Sequence, residues 1–349
     1  MGNPLTDFSQ ATPQWLTERL HANGYLQGGE ATRVSVNPSR SQAVVRLEVE
    51  YSGKSDNLPT SFFLKTGDSD ECVDRDVLLH RDMISLMEIS PSAQCFDTAY
   101  DPETTKAHIL TEDLSQTHYH GTWGISTSLK EESEAIVDLL SRFHAYWWDH
   151  PSLNTEFGEF PAEDNILFFH GIENYQKALA SVIDTVGDRI SSEQRIIYER
   201  ALRSYPFLDL QNEKRLKPGN RLTVIHGDVL PDNILLPKDL SIHPIYLIDW
   251  AFWEVRVGTD DVANIGLFGF CDPNADMTKD LVQRYYNGLL HYGVSDYSWA
   301  DCWHDYRLST IRNLFIPLNS FRDSGYSWNN LNRSIQSFYD LDCMDLLDK

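Results

Sequence analysis

The chain has little that would carry it into a membrane or an oxidising compartment. Its five cysteines, Cys72, Cys95, Cys271, Cys302 and Cys343, are odd in number and scattered. They offer neither a disulfide framework nor the Cys-x2-Cys spacing of a zinc site, so a cytoplasmic location is expected. No run approaches the roughly twenty apolar residues of a spanning helix. The opening Met1-Gly2-Asn3-Pro4-Leu5-Thr6-Asp7 lacks the basic start and apolar stretch of a secretory signal. Basic residues are scarce as well. The 29 Lys and Arg stand against 52 Asp and Glu, a formal charge of -23. Such a field disfavours nucleic acid and anionic membrane as partners and favours cations. Internal repeats and low-complexity linkers are missing too. A chain of 349 residues exceeds the usual single core, so two lobes are expected.

What is present concentrates in one stretch. His226-Gly227-Asp228-Val229-Leu230-Pro231-Asp232-Asn233 runs into Ile234-Leu235-Leu236, and Ile245-Tyr246-Leu247-Ile248 then delivers Asp249. The flanking apolar runs, beginning with Arg221-Leu222-Thr223-Val224-Ile225, read as short buried strands entering and leaving a polar loop. Asp, Asn and Pro also build ordinary turns, and either half of the pattern alone fits a turn as well as a site. Both halves in order supply a carboxylate to orient a hydroxyl, a neutral amide oxygen and a second carboxylate. Hard oxygen donors of that kind suit magnesium and a triphosphate.

The pattern resembles the aminoglycoside phosphotransferase and choline kinase family, small-molecule kinases with a protein-kinase-like fold. The resemblance implies an α+β, two-lobed fold. Residues 1–115 would form a small β-rich ATP-binding lobe, and 116–349 a larger, mainly helical lobe for catalysis and acceptor binding. It also implies transfer of the γ-phosphoryl group of ATP, with Mg2+, to a hydroxyl of a small molecule such as an aminoglycoside, an amino alcohol or a sugar. On the family's pattern Asp228 is the catalytic residue, Asn233 and Asp249 are the metal ligands, and His226 shapes the loop. Gly258-Thr259-Asp260-Asp261-Val262-Ala263 puts Asp261 where relatives carry an aspartate that opens a helix and supports that loop. Arg142-Phe143-His144-Ala145 matches the family's Leu-His-Ala helix, with His144 expected to be packed and satisfied rather than a ligand.

The lobes follow the same comparison. Trp15, Leu16 and Leu20 set a helical period over 14–26. Residues 33–36 and 43–51 alternate as a hairpin, and 61–65 form a third strand. A helix is expected over 70–89, and a strand running into a loop over 107–114. Lys65 closes the third strand, where the family places its phosphate-contacting lysine. Asp76 is its expected partner, one methylene shorter than the usual Glu, with Glu71 competing. Glu112 and Leu114 fall in the hinge whose backbone takes the adenine edge. The turn over 37–42 contains no glycine, unlike the glycine-rich turn of protein kinases, so Ser39, Arg40 and Ser41 are the expected phosphate contacts. That departure motivates an alternative, a pseudokinase that binds nucleotide or a partner without transfer. No Ala-Pro-Glu-like segment follows Asp249, which disfavours a protein substrate.

In the second lobe, Ile136, Leu139, Leu140, Phe143 and Trp147 fix a helix over 129–148, and further helices are expected over 174–210 and 275–322. Acceptor contacts are expected from 149–164, from 271–276 and from Trp303, Asp305, Tyr306 and Arg307. Aromatics with carboxylates suit an ammonium group. Trp250 and Trp253 adjoin Asp249, although rings at such spacing belong more often to a core. The acidic segment 340–345 either docks or frays.

Overall fold

The structure, a computed structural model, describes residues 3–39, 41–53, 58–68, 73–121, 130–158, 171–213, 221–267, 275–319, 321 and 325–347. The chain forms two compact units, Met1–His120 with Asn233–Trp253 and Gly121–Asp232 with Glu254–Lys349.

In the first unit, α1 (Pro13–Ala22) begins where Thr12 accepts the N–H of Trp15 and Pro13 occupies the first turn. There follow β1 (Glu30–Pro38), β2 (Val44–Ser52), β3 (Ser61–Asp68), α2 (Val73–Leu78), β4 (Cys95–Asp101), β5 (Lys106–Glu112) and β6 (His118–His120). Five strands make an antiparallel sheet in the order β1-β2-β3-β5-β4. One face buries Leu47, Phe62, Leu64 and Leu110 with Leu16 and Leu20 of α1. The other packs Ala107 and Ile109 against Val73 and Val77 of α2. Strand side chains alternate between faces, so Phe62 and Leu64 on the α1 side send Lys65 to the α2 side. The register Lys65↔Ile109 agrees.

The structure differs from expectation at three local points. The third strand continues to Asp68, so Lys65 lies inside it rather than at its end. The helix expected over 70–89 is α-helical only through α2. It widens to a π turn at Leu79–Met83 and tightens to a 3-10 turn at Ile84–Leu86. Strand β4 was not expected, because Asp97 breaks its apolar pattern. That carboxylate is nonetheless buried, with His108 Nε2 2.9 Å from Oδ2 and Asn23 Nδ2 donating to Oδ1 at 2.8 Å.

The second unit holds α3 (Lys130–Trp147), α4 (Gly171–Val186), α5 (Ser192–Glu213) and β7 (Thr223–Ile225). The five apolar positions read from the sequence of α3 are all buried. The chain then returns to the first unit as β8 (Ile234–Pro237) and β9 (Tyr246–Leu247), which extend β6 into a sheet of order β6-β8-β9. Residues 233–253, left in the helical lobe by a boundary after 115, pack with the first unit. Next come β10 (Glu254–Arg256), antiparallel to β7, then α6 (Thr259–Leu267), α7 (Ala275–His291), α8 (Trp299–Asn313), α9 (Ile316–Asn319), α10 (Gly325–Asp340) and α11 (Met344–Leu347). The acidic tail docks: Leu341, Cys343 and Leu346 are buried, and Arg307 Nε donates to the Leu341 carbonyl at 2.9 Å. Among the described residues, no helix is long and apolar enough to cross a membrane.

Candidate active site

Lys65 sits between two carboxylates. Its Nζ lies 3.0 Å from Asp76 Oδ2 and 2.7 Å from Asp249 Oδ1. Asp76 shares a helix face with Val73 and Val77, so the contact that seats α2 on the sheet also presents this carboxylate. The shorter side chain therefore reaches the lysine; Glu71 lies outside the described residues. Asp249 follows β9 in the left-handed region, at φ 61 and ψ 67, which Asp tolerates better than most residues. Its carboxylate is about half exposed, whereas that of Asp76 is buried. Burial pulls the Lys65 ammonium down, but Asp76 and Asp249 outweigh it and push the group up to about 12. The lysine therefore stays charged at neutral pH.

Asn233 ends a 3-10 turn, Pro231–Asn233, and is buried. Its carbonyl accepts the N–H of Ile248 at 2.9 Å, which ties it to the residue before Asp249. No cluster of three or more His, Cys, Asp or Glu for a metal occurs among the described residues. Magnesium commonly takes only one or two protein oxygens and completes its shell with substrate phosphates and water. The hard oxygens of Asp249 and Asn233 fit an ion that arrives with a triphosphate. Trp250 and Trp253 are core rings: both are buried, and Trp253 Nε1 donates to the Arg75 carbonyl at 2.9 Å.

Over residues 112–114, much of the backbone is already engaged. Glu112 N–H donates to Gln94 at 2.9 Å, Asp113 N–H donates to Ser61 at 3.4 Å, and the Leu114 carbonyl accepts from Thr117 and His118. The Leu114 N–H meets no acceptor among the described residues. Burial and the neighbouring Asp113 push the Glu112 carboxyl up. In the first hairpin the serine hydroxyls close the turn that lacks glycine. Ser41 N–H donates to Ser39 Oγ at 3.3 Å and Ala43 N–H donates to Ser41 Oγ at 3.2 Å. Arg40 lies outside the described residues.

The loop bearing Asp228 belongs to the second unit and follows β7. Gly227 takes the left-handed φ of 79 that the reversal needs, and Asp228 N–H donates to His226 Nδ1 at 3.2 Å. Asp261 holds this loop from below. Its Oδ2 accepts His226 N–H at 2.7 Å and its Oδ1 accepts Gly227 N–H at 2.9 Å. It stands inside the first turn of α6, so the carboxylate caps the loop rather than the helix it was expected to open. His144 is packed and satisfied: Nε2 lies 3.2 Å from Asp261 Oδ2, and Nδ1 lies 2.8 Å from Tyr285 Oη. All of these side chains are buried. Burial pushes the Asp261 carboxyl up, but the hydrogen bonds and charge of His144 and His226 outweigh it and hold the group below the usual carboxylate range. Gly258 allows the arrangement, since a Cβ there would strike Tyr285 Oη and come within 2.8 Å of His144 Nδ1. No motif in the sequence marks Tyr285. Its only signal is its inward position with Leu281, Val282 and Leu289 on the buried stripe of α7.

Most expected acceptor residues serve packing. The Asp149 carboxylate accepts the N–H groups of Arg221 and Leu222 at 2.8 and 3.2 Å, and Asp305 accepts the Tyr297 hydroxyl at 2.8 Å. Tyr306 is buried, and Trp303 stacks between it and Trp299 at 6.0 and 5.6 Å. Residues 159–164 and 271–274 lie outside the described residues.

An antiparallel sheet that presents a lysine to a helix carboxylate in one unit, with a second unit made mainly of helices, is a protein-kinase-like α+β fold. The chain belongs to the ecdysteroid kinase-like family, whose pattern matches residues 77–292. The structure is similar to that of a microcompartment-associated aminopropanol kinase, with TM-score 0.53 and 11% identity over 94% of this chain and 96% of that one. It is also similar to a choline kinase from Streptococcus pneumoniae (TM-score 0.47, 15% identity, 93% and 98% covered). A Plasmodium vivax ethanolamine kinase gives TM-score 0.47 and 12% identity, with 88% and 81% covered. Of these three, the first alone exceeds a TM-score of 0.5, and at its identity it speaks for the fold alone. A search of curated proteins finds no match.

Proposed function

We propose that the protein transfers the γ-phosphoryl group of ATP, as its magnesium complex, to a hydroxyl of a small molecule. The observation that carries this reading is the Lys65 ammonium held between Asp76 and Asp249. Lys65 contacts the α/β-phosphates, Asp76 orients it, and the backbone at Glu112 and Leu114 takes the adenine edge. Ser39, Arg40 and Ser41 cover the phosphates. Asn233 and Asp249 hold the ion, which when bound neutralises phosphate charge. Asp228 orients the acceptor hydroxyl. That oxygen bonds to the γ-phosphorus as the bond to the β–γ bridging oxygen breaks, ADP leaves, and the hydroxyl proton passes to Asp228 and on to solvent. The transition state is loose, so positioning matters more than basicity. His226 and Asp261 keep the loop in shape. The acidic net charge favours a cationic acceptor, such as an amino alcohol or an aminoglycoside, over an anionic one, and sugars remain compatible.

A hairpin closed by its own serine hydroxyls favours a second reading, a pseudokinase that binds nucleotide without transfer. One assay separates the two: transfer from γ-labelled ATP across amino alcohols, aminoglycosides and sugars, by the wild type and Asp228→Asn. Transfer by the wild type alone, with equal MgATP affinity in both, supports the kinase. Tight MgATP binding with no transfer to any acceptor supports the pseudokinase.

A further inference from the structure

The carboxylate of Asp249 is about half exposed, so side-chain packing does little to fix its place. Its position comes from the turn it opens, and that turn is anchored at both ends. At one end the Trp250 ring is buried and its Nε1 donates to the Leu247 carbonyl at 3.3 Å. At the other, Trp253 and Arg75 hold each other. The Trp253 indole N–H donates to the Arg75 carbonyl at 2.9 Å, and a guanidinium N–H of Arg75 donates to the Trp253 carbonyl. The guanidinium carbon also lies 5.2 Å from the centre of the Trp253 ring. Arg75 is partly buried, its Nε has no hydrogen bond, and no carboxylate pairs with it among the described residues. Desolvating a guanidinium without a counter-charge is costly. What offsets that cost here is the contact with Trp253.

We propose that Arg75 is a positioning residue: its clasp on Trp253 joins α2 to the turn that carries Asp249, so that Asp76 and Asp249 keep their places on the two sides of Lys65. The proposal deepens the nucleotide-binding reading above and rests on it. Arg75 immediately precedes Asp76 in α2, and Trp253 closes the turn that Asp249 opens. Lys65 Nζ meets both carboxylates. The Ile248 N–H, just before Asp249, donates to the carbonyl of Asn233. A clasp at Arg75 therefore acts on the stretch that bears both oxygens proposed for magnesium. Losing a group that orients a metal ligand typically lowers metal affinity by about tenfold to a hundredfold. Asp76, by contrast, is seated by the packing of Val73 and Val77 on the sheet. The Lys65 ammonium keeps that partner without the clasp, so phosphate binding depends on Arg75 far less than metal binding does.

The test is calorimetry of ATP binding to the full chain, once in EDTA and once in excess magnesium, for the wild type, Arg75→Met, Asp249→Asn and the double variant. Arg75→Met is expected to weaken binding of MgATP about tenfold or more, and that of metal-free ATP by less than about threefold. Asp249→Asn should abolish the tightening by magnesium, and Arg75→Met should then add no further loss. In the ligand-free protein, the Trp253 indole N–H and the Ile248 amide should exchange with solvent about tenfold faster in Arg75→Met. Trp253→Phe removes the indole donor and keeps a ring in the core. It is expected to show the same selective loss to a smaller degree, and it carries the test if Arg75→Met does not fold. Equal weakening of ATP and MgATP overturns the proposal, as does a full Arg75→Met effect in the Asp249→Asn background. Unchanged exchange at both positions overturns it as well. If magnesium does not tighten ATP binding in the wild type, the metal reading of Asp249 falls instead, and the exchange rates alone decide whether Arg75 holds the turn.

Discussion

Tyr285 Oη lies 2.8 Å from His144 Nδ1, across the ring from the Nε2 that lies 3.2 Å from Asp261 Oδ2. An ionised carboxylate only accepts, so the Nε2–H of His144 donates to Asp261. Three donors then serve one buried carboxylate, and two of them are backbone amides of the loop that carries Asp228.

Removing the hydroxyl alone, in Tyr285→Phe, is expected to cost about 1 kcal/mol of stability and to lower kcat with little change in KM for ATP. Asp261→Asn puts an amide donor among N–H groups, so a larger loss of about 3 kcal/mol and near-complete loss of turnover are expected. Urea melts and initial rates measure both. An Asp261→Asn protein with wild-type stability would show that the loop is held by something else.

Gly258→Ala tests the same place by crowding it. A methyl there meets Tyr285 Oη and His144 Nδ1, both buried with little room to move. The expected cost is roughly 1–3 kcal/mol, with lost turnover. Combined with Tyr285→Phe, part of the clash is relieved, so the double variant should be more stable than the sum of the single effects implies.

The pH dependence of stability has two edges with opposite signs. The folded-state pKa of Asp261 is lowered, so its contribution is present above the unfolded value of about 3.9 and is lost as pH falls through the folded value. Lys65 is raised to about 12. Its contribution is present below the unfolded value of about 10.4 and is lost as pH rises toward 12. Thermal melts across pH should therefore lose the acid edge in Asp261→Asn and the alkaline edge in Lys65→Met, with the other edge unchanged in each.

At the proposed nucleotide site, Lys65→Met is expected to raise KM for ATP about tenfold or more, since it removes the ammonium and leaves Asp76 buried without it. Asp76→Glu restores the family's length but adds a methylene to a site with 3% exposure. It should therefore destabilise by about 1–3 kcal/mol without improving ATP affinity. An Asp76→Glu enzyme with tighter ATP binding and unchanged melting would contradict the packing described here.

What the sequence made legible was local. The run from Arg221 to Asp249 and the alternating strands around Lys65 carry their meaning within a few residues, and the sheet places Lys65 beside Asp76, the pair the family resemblance implies. The rest depends on partners distant in sequence. Strand β4 looks too polar until Asp97 meets His108 and Asn23. Tyr285 matters only because α7 lies against α3, and no motif surrounds it. The π turn after α2 leaves no mark on the hydrophobic period.

The chain passes between its two units after His120, after Asp232 and after Trp253, and β6, before the first passage, pairs with β8, after the second. Neither unit is therefore a contiguous cassette. A gene truncated within 121–232 encodes a sheet without its partner strands, and recombination that trades one unit between relatives must exchange two separated stretches together. The halves of this molecule are inherited, expressed and lost as one.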